Sequence, residues 1–220
     1  MKRCLICLQE LDLFQGLEPM QFNNLCQCTQ RKRLSKGHYL FHQGEIASTI
    51  FLIKSGKLKL VQDAEDGHAT ILDVCGPGEV LGELSLYQEQ NEHSSAIAME
   101  EVCICCFSKL QFESLIKQDP SFALRIIGYL GQKRYENIIN LGKEAGQTVK
   151  ERLLRLFYRL AEQYGQKTSN STLIDLKITQ QELSEMIGAS RVMVIHALNE
   201  LKAAKIIDRE KRSLPQCSCI

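Results

Sequence analysis

The chain has 220 residues, 44% hydrophobic and 24% charged, with a formal net charge of +1. This length allows two modest domains with separate cores, and the composition is that of an ordinary soluble globular protein. No apolar run approaches the roughly 18 to 20 residues needed to cross a bilayer. The first residues carry a basic pair but only a four-residue apolar stretch, unlike a signal peptide, so a cytoplasmic protein with no membrane partner is expected.

Ten cysteines, at 4, 7, 26, 28, 75, 103, 105, 106, 217 and 219, are many for a reducing compartment. Cys75 and the 103–106 group lie in apolar, strand-like runs, where a thiol behaves as a small hydrophobe. Cys4/Cys7, Cys26/Cys28 and Cys217/Cys219 look less like core. The last pair reads as part of a flexible end.

A helix is expected near Leu17–Leu25. From Ile50 the pattern turns to strands: Ile50-Phe51-Leu52-Ile53, a Ser55-Gly56 turn, and alternation over Lys57–Leu60. Asp66-Gly67 marks a hairpin with Ala69–Val74 as its return strand. Gly76-Pro77-Gly78 breaks the chain, and Ala96–Phe107 supplies one more apolar strand region. Short strands at this spacing predict a small antiparallel barrel or roll.

Asp119-Pro120 introduces a helix over about Ser121–Asn140, with Phe122, Ile126, Tyr129, Leu130, Ile138 and Leu141 as its apolar positions. A second copy of this helix is the economical partner for such a stripe, which predicts a parallel homodimer. Packing on the chain's own barrel is the alternative.

Residues 179–202 read as helix, glycine turn and helix. Thr179 and Glu182 form a capping box, Gly188 permits the reversal, and Ser190 caps the second helix. Leu183, Ile187, Val194 and Leu198 face one another, leaving Arg191, Val192, Ile195, His196 and Asn199 outside. In a helix-turn-helix that outer face enters the major groove of double-stranded DNA. Thr179, Gln180, Gln181, Ser190, Arg191, Val192, His196 and Asn199 are therefore the candidate DNA contacts. A helical hairpin without nucleic acid would use the same capping and spacing. From Lys143 onward the chain carries 13 Lys and Arg against 9 Asp and Glu, a balance of +4, which suits a part that meets phosphate. The segments divide as 1–118 for N-terminal segment and roll, 119–145 for the dimerisation helix and 146–220 for the DNA-binding domain.

Four segments, Gly37–Glu45, Ile50–Leu60, Gly78–Tyr87 and Ile178–Leu201, resemble the cyclic-AMP receptor and fumarate–nitrate regulator (Crp/Fnr) family of bacterial transcription factors. The likeness runs from about Phe14 to Arg212. It implies an α+β fold: an antiparallel β-roll like that of cyclic-nucleotide-binding domains, a dimerising helix and a winged helix-turn-helix. It also implies an effector that reorients the DNA-binding domains, and RNA polymerase as a partner.

Gly82 and Glu83 match the family's nucleotide-binding pattern, with Glu83 at the ribose-contacting carboxylate. The phosphate-binding arginine falls at His93, followed by a matching Ser94. Histidine has neither the permanent charge nor the bidentate fork of arginine. The adenine-reading threonine–serine pair falls at Asn137 and Ile138. These departures argue against cyclic AMP.

The oxygen-sensing branch of the family holds a [4Fe–4S] cluster on an N-terminal cysteine group plus one in the roll. Cys4, Cys7 and Cys105 fall at or near those places, with Cys26 or Cys28 as the fourth thiolate. Zinc, a thiol–disulfide switch and no chemistry at all are the competing uses. Glu151–Tyr158 resembles regulators of halorespiration, which bind chlorinated aromatics, and would make Tyr87, His93 and Tyr129 effector contacts. No axial pair for haem is evident.

On the DNA side, Val192 replaces the family's glutamate and His196 its second arginine, which predicts an A/T-richer palindrome. No nucleophile elbow, phosphate loop or His-Glu-x-x-His is present, so an enzyme is not expected. The rival is a ligand- or metal-sensing module of this fold without sequence-specific DNA binding.

Overall fold

The computed structural model describes residues 30–64, 67–83, 90–142, 147–168, 171–209 and 215–217. Cys4, Cys7, Cys26, Cys28, Tyr87, Cys219 and the helix expected at 17–25 lie outside them. For Asn137 only the helical backbone is described. The chain divides into two compact units, Met1–Ile139 and Asn140–Ile220.

In the first unit the described residues form an antiparallel roll of eight short strands: β1 (Gln30–Leu34), β2 (Tyr39–Phe41), β3 (Thr49–Ser55), β4 (Leu58–Asp63), β5 (Ala69–Cys75), β6 (Val80–Leu81), β7 (Ser95–Ala98) and β8 (Val102–Ser108). They form two sheets, ordered β1-β8-β3-β6 and β2-β7-β4-β5. The hairpin expected at Asp66-Gly67 joins β4 to β5, with Asp63 opposite Ala69 and Gly67 at φ +82°. Ala96–Phe107 is not one strand. The chain turns at Met99–Glu101, so β7 lies in one sheet and β8 in the other.

Alternation along β8 assigns its two faces. Val102, Ile104 and Cys106 point into a core shared by both sheets, with Leu34, Phe41, Ile53, Leu58, Cys75 and Leu81. Cys105 and Phe107 point the other way and are fully buried. There helix α1 (Lys109–Gln118), which the sequence reading did not foresee, and α2 (Pro120–Gly142) meet the roll. Phe107, Phe112 and Phe122 form a chain of edge-to-face contacts, with ring centroids 6.4 and 5.6 Å apart. Asp119 starts α2 by accepting bonds from the Ser121 backbone N–H at 3.0 Å and hydroxyl at 2.6 Å.

The apolar positions of α2 divide into two stripes, which corrects the single stripe read from the sequence. Phe122 is buried and Ile126 and Tyr129 are partly buried within the chain's own unit. The exposed stripe is Leu124, Ile127, Leu130 and Tyr135, which are 71%, 65%, 39% and 61% exposed.

The second unit holds α3 (Val149–Tyr164), β9 (Gly165–Lys167), β10 (Thr172–Ile174), α4 (Gln180–Ile187), α5 (Arg191–Ala203), β11 (Ile207–Arg209) and β12 (Pro215–Cys217). Its antiparallel sheet runs β11-β12-β10-β9. Leu153, Phe157, Leu160, Ile174, Leu183, Val194 and Leu201 make its core. Cys217 belongs to a strand, opposite Thr172 and Ile207, rather than to a loose end. No described helix is long and apolar enough to cross a membrane.

Candidate nucleic-acid interface and effector face

The helix-turn-helix is built by local chemistry. The Thr179 hydroxyl accepts the Glu182 N–H at 3.1 Å, and the Glu182 carboxylate accepts the Thr179 N–H at 2.8 Å. That reciprocal box fixes the start of α4. Gly188 ends it in the left-handed conformation, at φ 59° and ψ 47°. A β-carbon at Gly188 would meet nothing closer than Arg152 Nη1 at 3.9 Å, so conformation rather than space calls for glycine. The Ser190 hydroxyl accepts the Met193 N–H at 3.3 Å and opens α5.

Arg152, on α3, ties the turn to the rest of the unit. Its Nη1 donates to the Ile187 carbonyl at 2.6 Å, satisfying a group that the end of α4 leaves unpaired. No sequence motif marks this contact, which spans 35 positions.

Along α5, Val194, Ala197, Leu198 and Leu201 are buried, whereas Arg191, Val192, His196 and Asn199 are exposed. Val192 is 76% exposed and its neighbour Met193 52%, so the start of α5 also presents apolar side chains at the surface. Thr179, Gln181 and Ser190 are exposed near the same turn, Gln180 is partly exposed, and Ile195 is half-buried rather than fully outward. His196 Nδ1 lies 3.2 Å from Glu200 Oε1, and the other oxygen of Glu200 lies 3.1 Å from Lys150 Nζ. Neither Glu200 nor Lys150 was singled out from sequence, although Glu200 stands at the i+4 position from His196.

In the roll, Gly82 is buried at φ +76°, and a β-carbon there would come within 2.2 Å of the Thr49 carbonyl oxygen. The backbone must therefore run bare past β3, which fixes the entry to Glu83. Burial pushes the Glu83 carboxyl up from its ordinary value. Burial also raises Glu92, and the charges of Glu83 and Glu45 add to that shift. His93 is exposed while Ser94 beside it is buried.

From α2, the Tyr129 hydroxyl accepts the Val80 N–H at 3.3 Å. Burial pushes this phenol up to about 12, with the nearby charges of Glu83 and Asp73 acting in the same direction. One turn on, Lys133 pairs with Glu79, whose other oxygen accepts the Gly76 N–H at 2.6 Å. Tyr129 and Lys133 thus clamp α2 onto the segment leading to Gly82-Glu83. Lys133 was not foreseen; its i+4 spacing from Tyr129 was the available signal.

Cys75 and Cys106 are poor nucleophiles. Burial holds the Cys75 thiol far above its ordinary range, and burial also raises Cys106, against an opposing pull from Lys32. Cys105 is 0% exposed in the central strand β8. Among the described residues no three His, Cys, Asp or Glu side chains gather closely enough to hold a metal ion.

Comparison with known proteins places this architecture. Residues 31–119 match the cyclic nucleotide-binding domain and residues 151–215 the Crp-like helix-turn-helix domain. The chain belongs to the Crp/Fnr family of transcriptional regulators. The CRP-like cAMP-activated global transcriptional regulator of Mycobacterium tuberculosis is 28% identical over 207 residues, covering 94% of this chain and 92% of that protein. The cyclic AMP receptor protein of Thermus thermophilus is 27% identical over 191 residues, 86% of this chain and 85% of that one. Among solved structures, CprK complexed with OCPA aligns with a TM-score of 0.65 at 26% identity, over 90% of this chain and 91% of that one. The c-di-GMP responsive regulator CLP of Xanthomonas campestris shares the fold, with a TM-score of 0.75 at 19% identity, over 90% and 98% of the two chains. This Crp/Fnr chain is therefore a DNA-binding transcriptional regulator with a cyclic-nucleotide-binding-like domain.

Proposed function

We propose that this regulator acts as a homodimer on a palindromic operator and answers to a small organic effector rather than to cyclic AMP. The observation that carries the reading is the capped α5, which presents Arg191, Val192, His196 and Asn199 outward from a buried inner face. Two such helices one DNA turn apart read inverted half-sites in successive major grooves. The exposed stripe Leu124, Ile127, Leu130 and Tyr135 on α2 supports pairing with a second copy. RNA polymerase is the partner expected of a bound regulator.

For the effector, relatives differ: cAMP-activated, c-di-GMP responsive and OCPA-complexed proteins share this fold. The roll is thus a scaffold whose ligand depends on its lining. Here His93 stands where the family pattern places its phosphate-binding arginine, and it is exposed. A histidine there is poor for a cyclic phosphodiester. Gly82, Glu83, Ser94, Tyr129 and Lys133 are the groups we assign to an organic ligand, with Tyr87 and Asn137 as further candidates. Operator anisotropy on the full chain tests this. Cyclic AMP is expected to leave affinity unchanged, and micromolar tightening by cyclic AMP would overturn the reading.

Redox input is the second reading, favoured by the Cys4-x-x-Cys7 spacing. In it Cys4, Cys7, Cys105 and Cys26 or Cys28 hold a [4Fe–4S] cluster, bind zinc or exchange disulfides. Because Cys105 is fully buried, cluster binding would require β8 to be reached from its helix-covered face. Anaerobically purified protein that is brown, with equal iron and sulfide, would establish the cluster. Colourless, metal-free protein would favour the organic effector and leave thiol–disulfide exchange as the remaining redox input.

A further inference from the structure

His196 projects from α5 with its side chain 79% exposed, and Glu200 lies on the Nδ1 side of its ring. Nδ1 lies 3.2 Å from one oxygen of Glu200, whose second oxygen is 3.1 Å from the Lys150 ammonium on α3. We propose that Glu200 is a positioning residue for DNA reading, fixing His196 as a hydrogen-bond acceptor in the major groove. This rests on the regulator reading above.

A carboxylate can only accept, so the proton of a neutral imidazole bonded to it sits on Nδ1. Nε2, on the far side of the ring, then carries a lone pair. In the major groove a lone pair meets the N6 amino group of adenine or the N4 amino group of cytosine. It is repelled by N7 and O6 of guanine and by O4 of thymine. An arginine at this place would do the reverse, donating to guanine.

Lys150 completes the device. A carboxylate beside DNA phosphates is ordinarily repelled, and the ammonium offsets that charge. The bland account, an exposed i,i+4 pair that merely supports the helix, needs no particular tautomer and predicts no base preference.

The test compares wild type, H196A, E200Q and E200D as full chains. Each is scanned against all base pairs of the half-site selected by wild type, in mildly alkaline buffer that keeps imidazoles neutral. Glutamine can accept from or donate to Nδ1, so E200Q releases the tautomer, whereas E200D keeps a carboxylate. At one position wild type should favour adenine or cytosine over guanine by about tenfold per half-site. H196A and E200Q should reduce that preference to within about twofold, with E200D restoring part of it. The salt dependence of binding to random DNA should stay unchanged in E200Q. Nitrogen NMR of the free protein should find the His196 proton on Nδ1 in wild type and on Nε2 in E200Q. A guanine preference at the His196-dependent position, or an unaltered preference in H196A or E200Q, overturns the inference alone. Failure of wild type to select any half-site overturns the regulator reading and this inference with it.

Discussion

In the roll, burial pushes the carboxyls of Glu83 and Glu92 up, whereas in the C-terminal unit hydrogen bonds from the backbone and side chain of Thr148 hold Glu151 down. The same chemical group is thus set in opposite directions by its place in the molecule. The C-terminal unit uses its carboxylates locally, in capping boxes at Thr148 and Thr179 and in the Glu200 bridge, and keeps its reading groups at the surface. The roll turns carboxyls inward, where desolvation disfavours their charged form. A reader needs fixed, hydrated side chains; a sensor needs groups whose state a ligand can change.

The sharpest way to break that contrast is to damage one unit and ask whether the other notices. Phe122→Ala removes the end of the Phe107–Phe112–Phe122 chain and should cost about 3 to 5 kcal/mol in the roll unit. Denaturation followed by probes in each unit should show the roll's transition moving alone. A matched shift of both units would mean that they do not behave separately.

Arg152→Leu should come next. It deletes a charged donor to the Ile187 carbonyl and should cost about 1.5 to 3 kcal/mol in the DNA-binding unit. Hydrogen exchange should quicken at the α4–α5 turn and not in the roll. Arg191→Ala, by contrast, should leave stability intact and weaken operator binding by about 1 to 3 kcal/mol per half-site. Unchanged affinity in a competition assay would remove Arg191 from the contact set.

Glu83→Gln and Glu151→Gln give the smallest effects and the clearest signs. Glu83 has a raised folded-state pKa, so its contribution is fully present below the ordinary carboxyl value and lost as pH rises through the raised one. Glu151 has a lowered pKa, so its contribution is present above the ordinary value and lost as pH falls through the lowered one. Melting temperatures across the acid range should therefore lose their fall on raising pH in the roll of E83Q. In the C-terminal unit of E151Q they should lose their fall on lowering pH. The same slopes as wild type would show that these carboxyls titrate alike in the two units.

The contrast also explains what the sequence could tell. The helix-turn-helix was legible because each of its devices lies within a few residues: Thr179 with Glu182, Gly188, and Ser190 with Met193. The β4–β5 hairpin was legible for the same reason. The split of Ala96–Phe107 into two sheets was not, since Met99-Glu100-Glu101 carries no glycine or proline and only strand partners from distant sequence decide it. Likewise, which stripe of α2 faces its own roll depends on Phe107 and Phe112, outside the helix. Lys133 meets Glu79 across 54 positions and Arg152 meets Ile187 across 35, so no local spacing names the partner of either.

Selection of binding sites from random double-stranded DNA by the full chain decides whether the protein reads sequence. The account predicts two inverted, A/T-rich half-sites centred one helical turn apart. The chosen palindrome should be bound at least about a thousandfold more tightly than random DNA at physiological salt. Equal affinity for selected and random sequences would contradict it and leave the chain a sensing module without a reader.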